Sequence, residues 1–199
     1  AVHWMEPRQL AEVLAIFSRA GSASRDISGL ATRLFNELEE RVLEDGAKFE
    51  IEDIISIVES MACFSTRDNE VILRHLGRER LHPALLELPG TQIAAICNAY
   101  AALGWRHDTV FKQVITAILQ EQERIQRARV LGVSASSTGQ IKFRTSEVAL
   151  VADALVRLRM YRGNNDWFRW GENYEELLDV LVRRLETLGE LQTMAARPL

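Results

Sequence analysis

The sequence predicts an all-α chain, arranged as an α-solenoid of about four helix-turn-helix repeats. Apolar residues recur at helical spacing along most of the 199 residues, and no run alternates apolar and polar side chains as a half-buried strand would. A short pattern also recurs three times: an apolar helix ending near an alanine, a turn, then a basic–acidic pair. Ala20 leads to Arg25-Asp26, Ala62 to Arg67-Asp68 and Ala102 to His107-Asp108, each alanine six residues before its aspartate. The aspartates stand 42 and 40 residues apart. A period near 40 residues with two helices per period is the signature of stacked helical repeats.

The first repeat opens with Leu10, Val13, Leu14 and Phe17, all on one helical face. Gly21 and Ser22 break that helix. Asp26 or Ser28 stands where an N-cap is expected, and Leu30, Leu34, Leu38 and Val42 carry the second helix to Gly46, a C-terminal glycine. In the second repeat, Ile51, Ile54, Ile55, Val58 and Met61 mark one helix, and Val71, Ile72, Leu73 and Leu76 its partner. Pro83 and Pro89 punctuate a connecting stretch where Leu85, Leu86 and Leu88 form a single helical turn. Thr91 caps the third repeat. Its first helix carries Ile93, Ile96, Tyr100 and Leu103, and its second carries Val110, Phe111, Val114, Ile118 and Leu119. Residues 120–129 are polar and charged and read as a solvated extension of that helix. The Ser/Gly-rich stretch 133–140 cannot bury a core and reads as a flexible linker. The expected organisation is a three-pair array over 1–128, a loop over 129–145 and a fourth pair, a C-terminal cap, over 146–199. In that last pair Thr145 or Ser146 is the cap. Val148, Val151, Ala152, Leu155 and Leu158 mark its first helix, and Leu177, Leu178, Leu181, Val182, Leu185 and Leu188 its second.

Composition narrows the function classes. Hydrophobic content of 47% and charged content of 26% suit a globular domain. No apolar run approaches the ~18–20 residues needed to span a bilayer. Nothing like a charged n-region with an apolar core precedes the first helix, so a targeting peptide is either lacking or already removed. Cys63 and Cys97 are too few for a disulfide framework and read as reduced structural thiols. Arginine outnumbers lysine 21 to 3, which reflects either bidentate recognition of phosphate or carboxylate or genomic base composition. The net charge of −4 is uneven: residues 1–125 carry 13 Lys/Arg against 19 Asp/Glu, and residues 126–199 carry 11 against 9.

No catalytic constellation is visible. His3, His75, His82 and His107 lack zinc-ligand spacing, and no phosphate-cradling or nucleophile-elbow motif is present. Neither enzyme activity, cofactor, metal nor small-molecule substrate is expected. The repeated turn pairs have two readings. Asp26, Asp68 and Asp108 cap the second helix of each pair, or the basic residues beside them line a phosphate-touching edge. The segment 127–170 differs in kind. Arg127, Arg129, Lys142, Arg144, Arg157, Arg159, Arg162 and Arg169 alternate there with Phe143, Tyr161, Trp167, Phe168 and Trp170, eight basic residues against three acidic ones over 127–169. Such a mixture suits single-stranded RNA contact, a protein interface, or the apolar plug and soluble rim of a capping repeat.

The third repeat, from Ile93-Ala94-Ala95-Ile96-Cys97-Asn98 through Leu103-Gly104-Trp105-Arg106-His107-Asp108 to Val110-Phe111, resembles the organellar helical-repeat families. These are the octotricopeptide and heptatricopeptide repeats and the related repeats of FAST-kinase-like and RAP-domain proteins. Their mark is an alanine-rich helix, a Leu-Gly-aromatic turn, a basic–Asp pair and a helix opening on an apolar residue and Phe. The second repeat, Met61-Ala62-Cys63-Phe64-Ser65-Thr66-Arg67-Asp68, lacks the glycine. The resemblance implies a nuclear-encoded protein of the mitochondrial matrix or plastid, associated with organellar RNA or ribosomes. It transfers no ligand residue, because the first helices offer Glu52, Glu59, Gln92 and Asn98 but few cations. The expectation is a non-enzymatic subunit of an organellar ribonucleoprotein, foremost the mitochondrial ribosome, in contact with protein subunits and rRNA or other organellar RNA. The alternative is a scaffold or peripheral subunit of a protein-only mitochondrial complex, such as a respiratory complex or ATP synthase, which the acidic pI of 5.7 favours.

Overall fold

The structure, a computed structural model, describes residues 5–20, 25–45, 48–64, 70–132, 142–160 and 170–188, and every regular element among them is helical. The first half holds α1 (Pro7–Ala20), α2 (Arg25–Asp45) and α3 (Ile51–Phe64). The short α4 (Glu70–Ile72) then runs into a π-helix (Leu73–Leu81), α5 (His82–Ala84) and a 3₁₀ turn (Leu85–Glu87). Beyond it come α6 (Gly90–Leu103), α7 (Asp108–Val130), α8 (Thr145–Arg157) and α9 (Trp170–Leu188). None of the helices among the described residues is long and apolar enough to cross a membrane. The chain divides into two compact units, Ala1–Leu88 with Ala99–Trp105, and Pro89–Asn98 with Arg106–Leu199. This division falls at residue 89 and within α6; the expected organisation, a three-pair array followed by a loop, set its boundary at 128–129.

In the first unit α1 packs on α3 and α2, while α2 packs on α4 and the π-helix. First helix thus meets first helix and second meets second, so the apolar stripe of each finds a partner. Leu10 and Leu14 of α1, Phe35 and Leu38 of α2, and Ile54, Ile57 and Met61 of α3 are fully buried. Each contributes about 1.5–3 kcal/mol of apolar transfer free energy. The helix α2 already begins at Arg25. Asp26 and Ser28 therefore lie inside it rather than at its N-cap, and Gly46 lies outside the described residues.

The second helix of the second pair departs from the sequence reading. Instead of continuing as an α-helix it widens into a π-helix for nine residues, and the His82 N–H donates five residues back to the Gly77 carbonyl. Pro83 supplies a physical reason: it has no N–H for the Glu79 carbonyl, and its ring crowds that carbonyl in α geometry. A wider turn upstream relieves the clash. Gly77 suits the same stretch, since a Cβ there would stand 2.8 Å from Tyr100 Oη. Leu88 then turns extended (φ −69°, ψ 153°), as a residue before proline must, and ends the run. The single turn expected around Leu85 is present, with Leu85 and Leu88 buried and Leu86 exposed.

The end of α6 explains the Leu-Gly-Trp turn. Gly104 sits at φ 67°, the Trp105 N–H donates to the Tyr100 carbonyl at 2.8 Å, and the Gly104 N–H donates to Ala101 at 3.1 Å. This is a Schellman cap with glycine at its left-handed position. The Tyr100 and Trp105 rings stack at 6.3 Å, completing the apolar contact that accompanies such caps.

In the second unit α9 packs on both α7 and α8. Ile93, Ile96 and Cys97 of α6, Phe111, Val114 and Ile118 of α7, Val148 and Val151 of α8, and Leu177 of α9 are buried here. Burial pushes the Cys97 thiol up to about 12, whereas Cys63, in the first unit, is exposed; both are free. Thr91 does not cap α6, which already begins at Gly90. The expected solvated extension over 120–129 is corrected as well, because Glu121, Gln122, Ile125 and Ala128 are all buried.

Two helical glycines give opposite expectations for the same substitution. Nothing lies within 4 Å of a Cβ built on Gly29, while one built on Gly90 would run into the Lys142 carbonyl. Gly29→Ala should stabilise the chain by ~0.5–1 kcal/mol. Gly90→Ala should destabilise it by ~1–3 kcal/mol, as overpacking against backbone does. Urea unfolding followed by circular dichroism measures both; a stabilising Gly90→Ala would refute the close approach.

Candidate partner-binding surface

The basic–aromatic segment is organised by a charge pair that sequence reasoning did not single out. Ile118, Ile125 and Ala128 of α7 face the core, and Glu121 and Gln122 fall on the same face. That places a carboxylate where water cannot satisfy it, and such a group demands partners. Glu121 finds three. Its Oε2 accepts from the Lys142 N–H at 2.7 Å, and its Oε1 accepts from the Phe143 N–H and from Arg184 Nη2, each at 3.2 Å. Arg184 of α9 completes the arrangement, with Nε donating to Gln122 Oε1 at 3.1 Å and Nη1 donating to the Phe143 carbonyl.

Phe143 is therefore gripped at both main-chain groups, while its ring is 1% exposed. The ion pair itself is nearly dry, with the Arg184 and Glu121 side chains 11% and 8% exposed. One network ties α7, residues 142–143 and α9 together. The expected loop over 129–145 is corrected at both ends: Arg129 and Val130 complete α7, and Lys142–Arg144 is pinned. Residues 133–141 lie outside the described residues.

The network delivers the chain directly into α8. Arg144 is its N-cap, in place of Thr145 or Ser146. A guanidinium has no acceptor to offer a helix N-terminus, so only half a capping box operates: the buried Glu147 carboxylate accepts from the Arg144 N–H. The Arg144 side chain is left exposed, and Lys142 is half-buried with its ammonium 5.9 Å from the centre of the Phe143 ring.

At the other end of α8, the Arg157 side chain is engaged within the unit. Its Nε pairs with Asp153 at 2.9 Å, and its Nη2 donates to the Asn98 side-chain oxygen. Arg159 follows at φ 55°, in the left-handed position of a second Schellman cap. Its N–H donates to Val156 at 3.0 Å, and the Met160 N–H donates to Leu155 at 2.9 Å. Met160 is buried and Arg159 exposed. The described basic residues therefore form two groups rather than one patch, Lys142 and Arg144 at the start of the 13-residue α8, Arg157 and Arg159 at its end, about 20 Å apart along the axis. Arg127 is exposed on α7 and pairs with Glu123 at 3.0 Å. Tyr161, Arg162, Trp167, Phe168 and Arg169 lie outside the described residues, as do the side chains of Arg129 and of Trp170, the first residue of α9.

The turn aspartates meet a mixed outcome. Asp68 and the Asp26 side chain lie outside the described residues. In the third copy the cap is the basic residue, not the acid. The His107 carbonyl accepts the first helical bond, from Phe111 at 3.2 Å, and its ring Nδ1 accepts from the Val110 N–H at 3.4 Å. Asp108 instead opens α7 and accepts from Arg106 Nε at 2.7 Å, its charge complementing the helix dipole.

Buried Glu121, Gln122 and Glu147 and the largely covered Arg184 carry the geometry, and one signal in the sequence marks Glu121. A Glu in register with Ile118 and Ile125 belongs to a buried face. Among the described residues no group of three or more His, Cys, Asp or Glu side chains could hold a metal. No family model, curated protein or solved structure matches the chain.

Breaking the pair should cost far more than removing it whole. Arg184→Ala leaves the Glu121 charge buried and should destabilise the second unit by ~3 kcal/mol or more. The double variant Glu121→Leu/Arg184→Met should recover at least half of that loss. Thermal melts of the three proteins decide it; additive losses would mean that the two side chains act independently.

Proposed function

We propose that the chain is a non-enzymatic helical-repeat subunit of an organellar ribonucleoprotein, its four helical pairs stacking as an α-solenoid. The resemblance of the third repeat points to the mitochondrial matrix and to the mitochondrial ribosome. Contact is made through α8 and the segments that flank it, by protein surface and by RNA phosphate.

Arg159 is the observation that carries this reading. A non-glycine residue in the left-handed region costs about 1 kcal/mol where glycine would cost nothing, and this one places an exposed guanidinium. A cation kept at a position that glycine would fill more stably suits a side chain with an external task. Exposed Arg144 stands at the opposite end of α8, so an exposed cation marks each end of that helix.

A protein-only assembly is the second reading, and Arg157 favours it. Held by Asp153 and Asn98, its guanidinium is less available to phosphate, and the chain as a whole is acidic, with net charge −4.

The test uses the full chain and a fluorescein-labelled 20-mer of oligouridine, titrated across salt concentrations. On the ribonucleoprotein reading, Arg144→Ala/Arg159→Gly lowers the log–log salt slope by ~0.7 per lost phosphate contact. Arg159→Gly alone raises stability by ~0.5–1 kcal/mol while weakening binding. No measurable RNA binding at about 50 mM salt, where phosphate contacts are strong, would sink the RNA-contacting reading and leave the protein scaffold.

A further inference from the structure

The helix α9 carries apolar residues around more of its circumference than the second unit covers. Leu177 and Val180 point into the core at 0% and 4% exposure, but Leu178 and Val182, one helical turn apart, are 37% and 48% exposed. Tyr174 lies one turn before Leu178, and Leu185 three residues after Val182, both half-buried. These four positions form one stripe about 16 Å long beside the buried face. The solvent-facing side of a surface helix is ordinarily polar; here that side begins with an apolar stripe.

The charges beside the stripe have one predominant sign. Glu175, Asp179 and Glu186, all exposed, each follow a stripe residue by one position and so form a parallel row. Glu172 and Glu176 add two more exposed carboxylates behind it. The one cation in the row, Arg183, already pairs with Asp179 at 4.0 Å, and Arg184 is committed to Glu121.

We infer that this face of α9 is a docking seam for an amphipathic helix of a partner protein, one whose apolar stripe is flanked by lysine or arginine. The apolar row supplies the buried contact, and the carboxylate row selects a basic flank and speeds encounter. A second copy of this chain is a poor occupant, because antiparallel pairing of two α9 helices sets carboxylate row against carboxylate row. The inference rests on α9 alone and does not depend on RNA contact at α8.

The probe is a labelled helical peptide of about 18 residues, long enough for stable helix formation on binding, with leucine at its a and d positions and lysine at e and g. Its counterpart carries glutamate at e and g. Fluorescence anisotropy with the full chain should show the lysine peptide binding ~10-fold or more tighter than the glutamate peptide. Leu178→Ser/Val182→Ser, with unchanged helicity, should weaken it ~10-fold. Should that variant unfold, Val182→Gln alone carries the same expectation at ~3-fold or more. Glu175→Gln/Asp179→Asn/Glu186→Gln should narrow the gap between the two peptides. Equal binding of the lysine peptide by the serine variant and the wild type would overturn the seam, as would no binding by either peptide. Sedimentation showing a dimer of the chain that the serine variant dissolves would assign the face to self-association instead.

Discussion

The carboxylate of Glu121 is the constraint on which the second unit depends. A charge on the buried face of a helix is tolerated only when its lone pairs are filled, and here two main-chain N–H groups and a guanidinium fill them. The same guanidinium reaches the Phe143 carbonyl and Gln122, so no charged group in the network is left unanswered. An isolated surface ion pair would contribute little. This one organises three segments far apart in sequence, because each partner needs the others to be in place. Its consequences extend outward: Phe143 is seated in the core, Gly90 gives way to the Lys142 carbonyl, and α8 starts at a fixed point with Arg144 at its head.

A wider habit of the chain emerges from the arginines. Arg184 donates to the Phe143 carbonyl, Arg157 to the Asn98 side chain, Arg80 to the Phe49 carbonyl at 3.1 Å and Arg41 to the Met5 carbonyl. Each closes a contact between a helix and a segment more than 30 residues away. A planar fork with five donors can hold a carbonyl and a carboxylate or amide together, whereas an ammonium on a flexible stem orders its partners less well. Part of the excess of arginine over lysine is therefore spent inside the fold. This bears on function, since an arginine already clasped is a weaker phosphate ligand than its sequence position suggests. Arg144 and Arg159 are of the other kind, exposed at the two ends of α8.

Much of the architecture was legible because it rests on local periodicity. The 3.6-residue spacing of Leu10 and Leu14, or of Ile54, Ile57 and Val58, needs no tertiary information to declare a helix, and the turn read at Leu103-Gly104-Trp105 is a helix cap in the structure, with Gly104 at φ 67°. What escaped depends on distant partners. Glu121 sits in a charged run, and although its register with Ile118 and Ile125 marks the buried face, its partners, Arg184 63 residues on and the amides of Lys142 and Phe143, are set by the fold. The π-helix escaped because Val71–Leu76 has the same apolar spacing in either helix form, while its cause, Pro83, lies downstream. At α7 a histidine ring took the capping role expected of Asp108, since Arg106 stood close enough to draw the carboxylate away. The candidate surface was legible only as composition: eight cations in one segment say nothing of which are clasped and which are exposed.

Amide hydrogen exchange at Lys142 and Phe143 tests the central role of Glu121 most directly. Both N–H groups lie in a segment without regular secondary structure, and both donate to that carboxylate. If the buried pair holds this segment to α7 and α9, both amides exchange only when the second unit opens, with protection comparable to the buried α7 amides of Val114 and Ile115. Exchange at the rate of an unstructured loop, while those α7 amides stay protected, would contradict it.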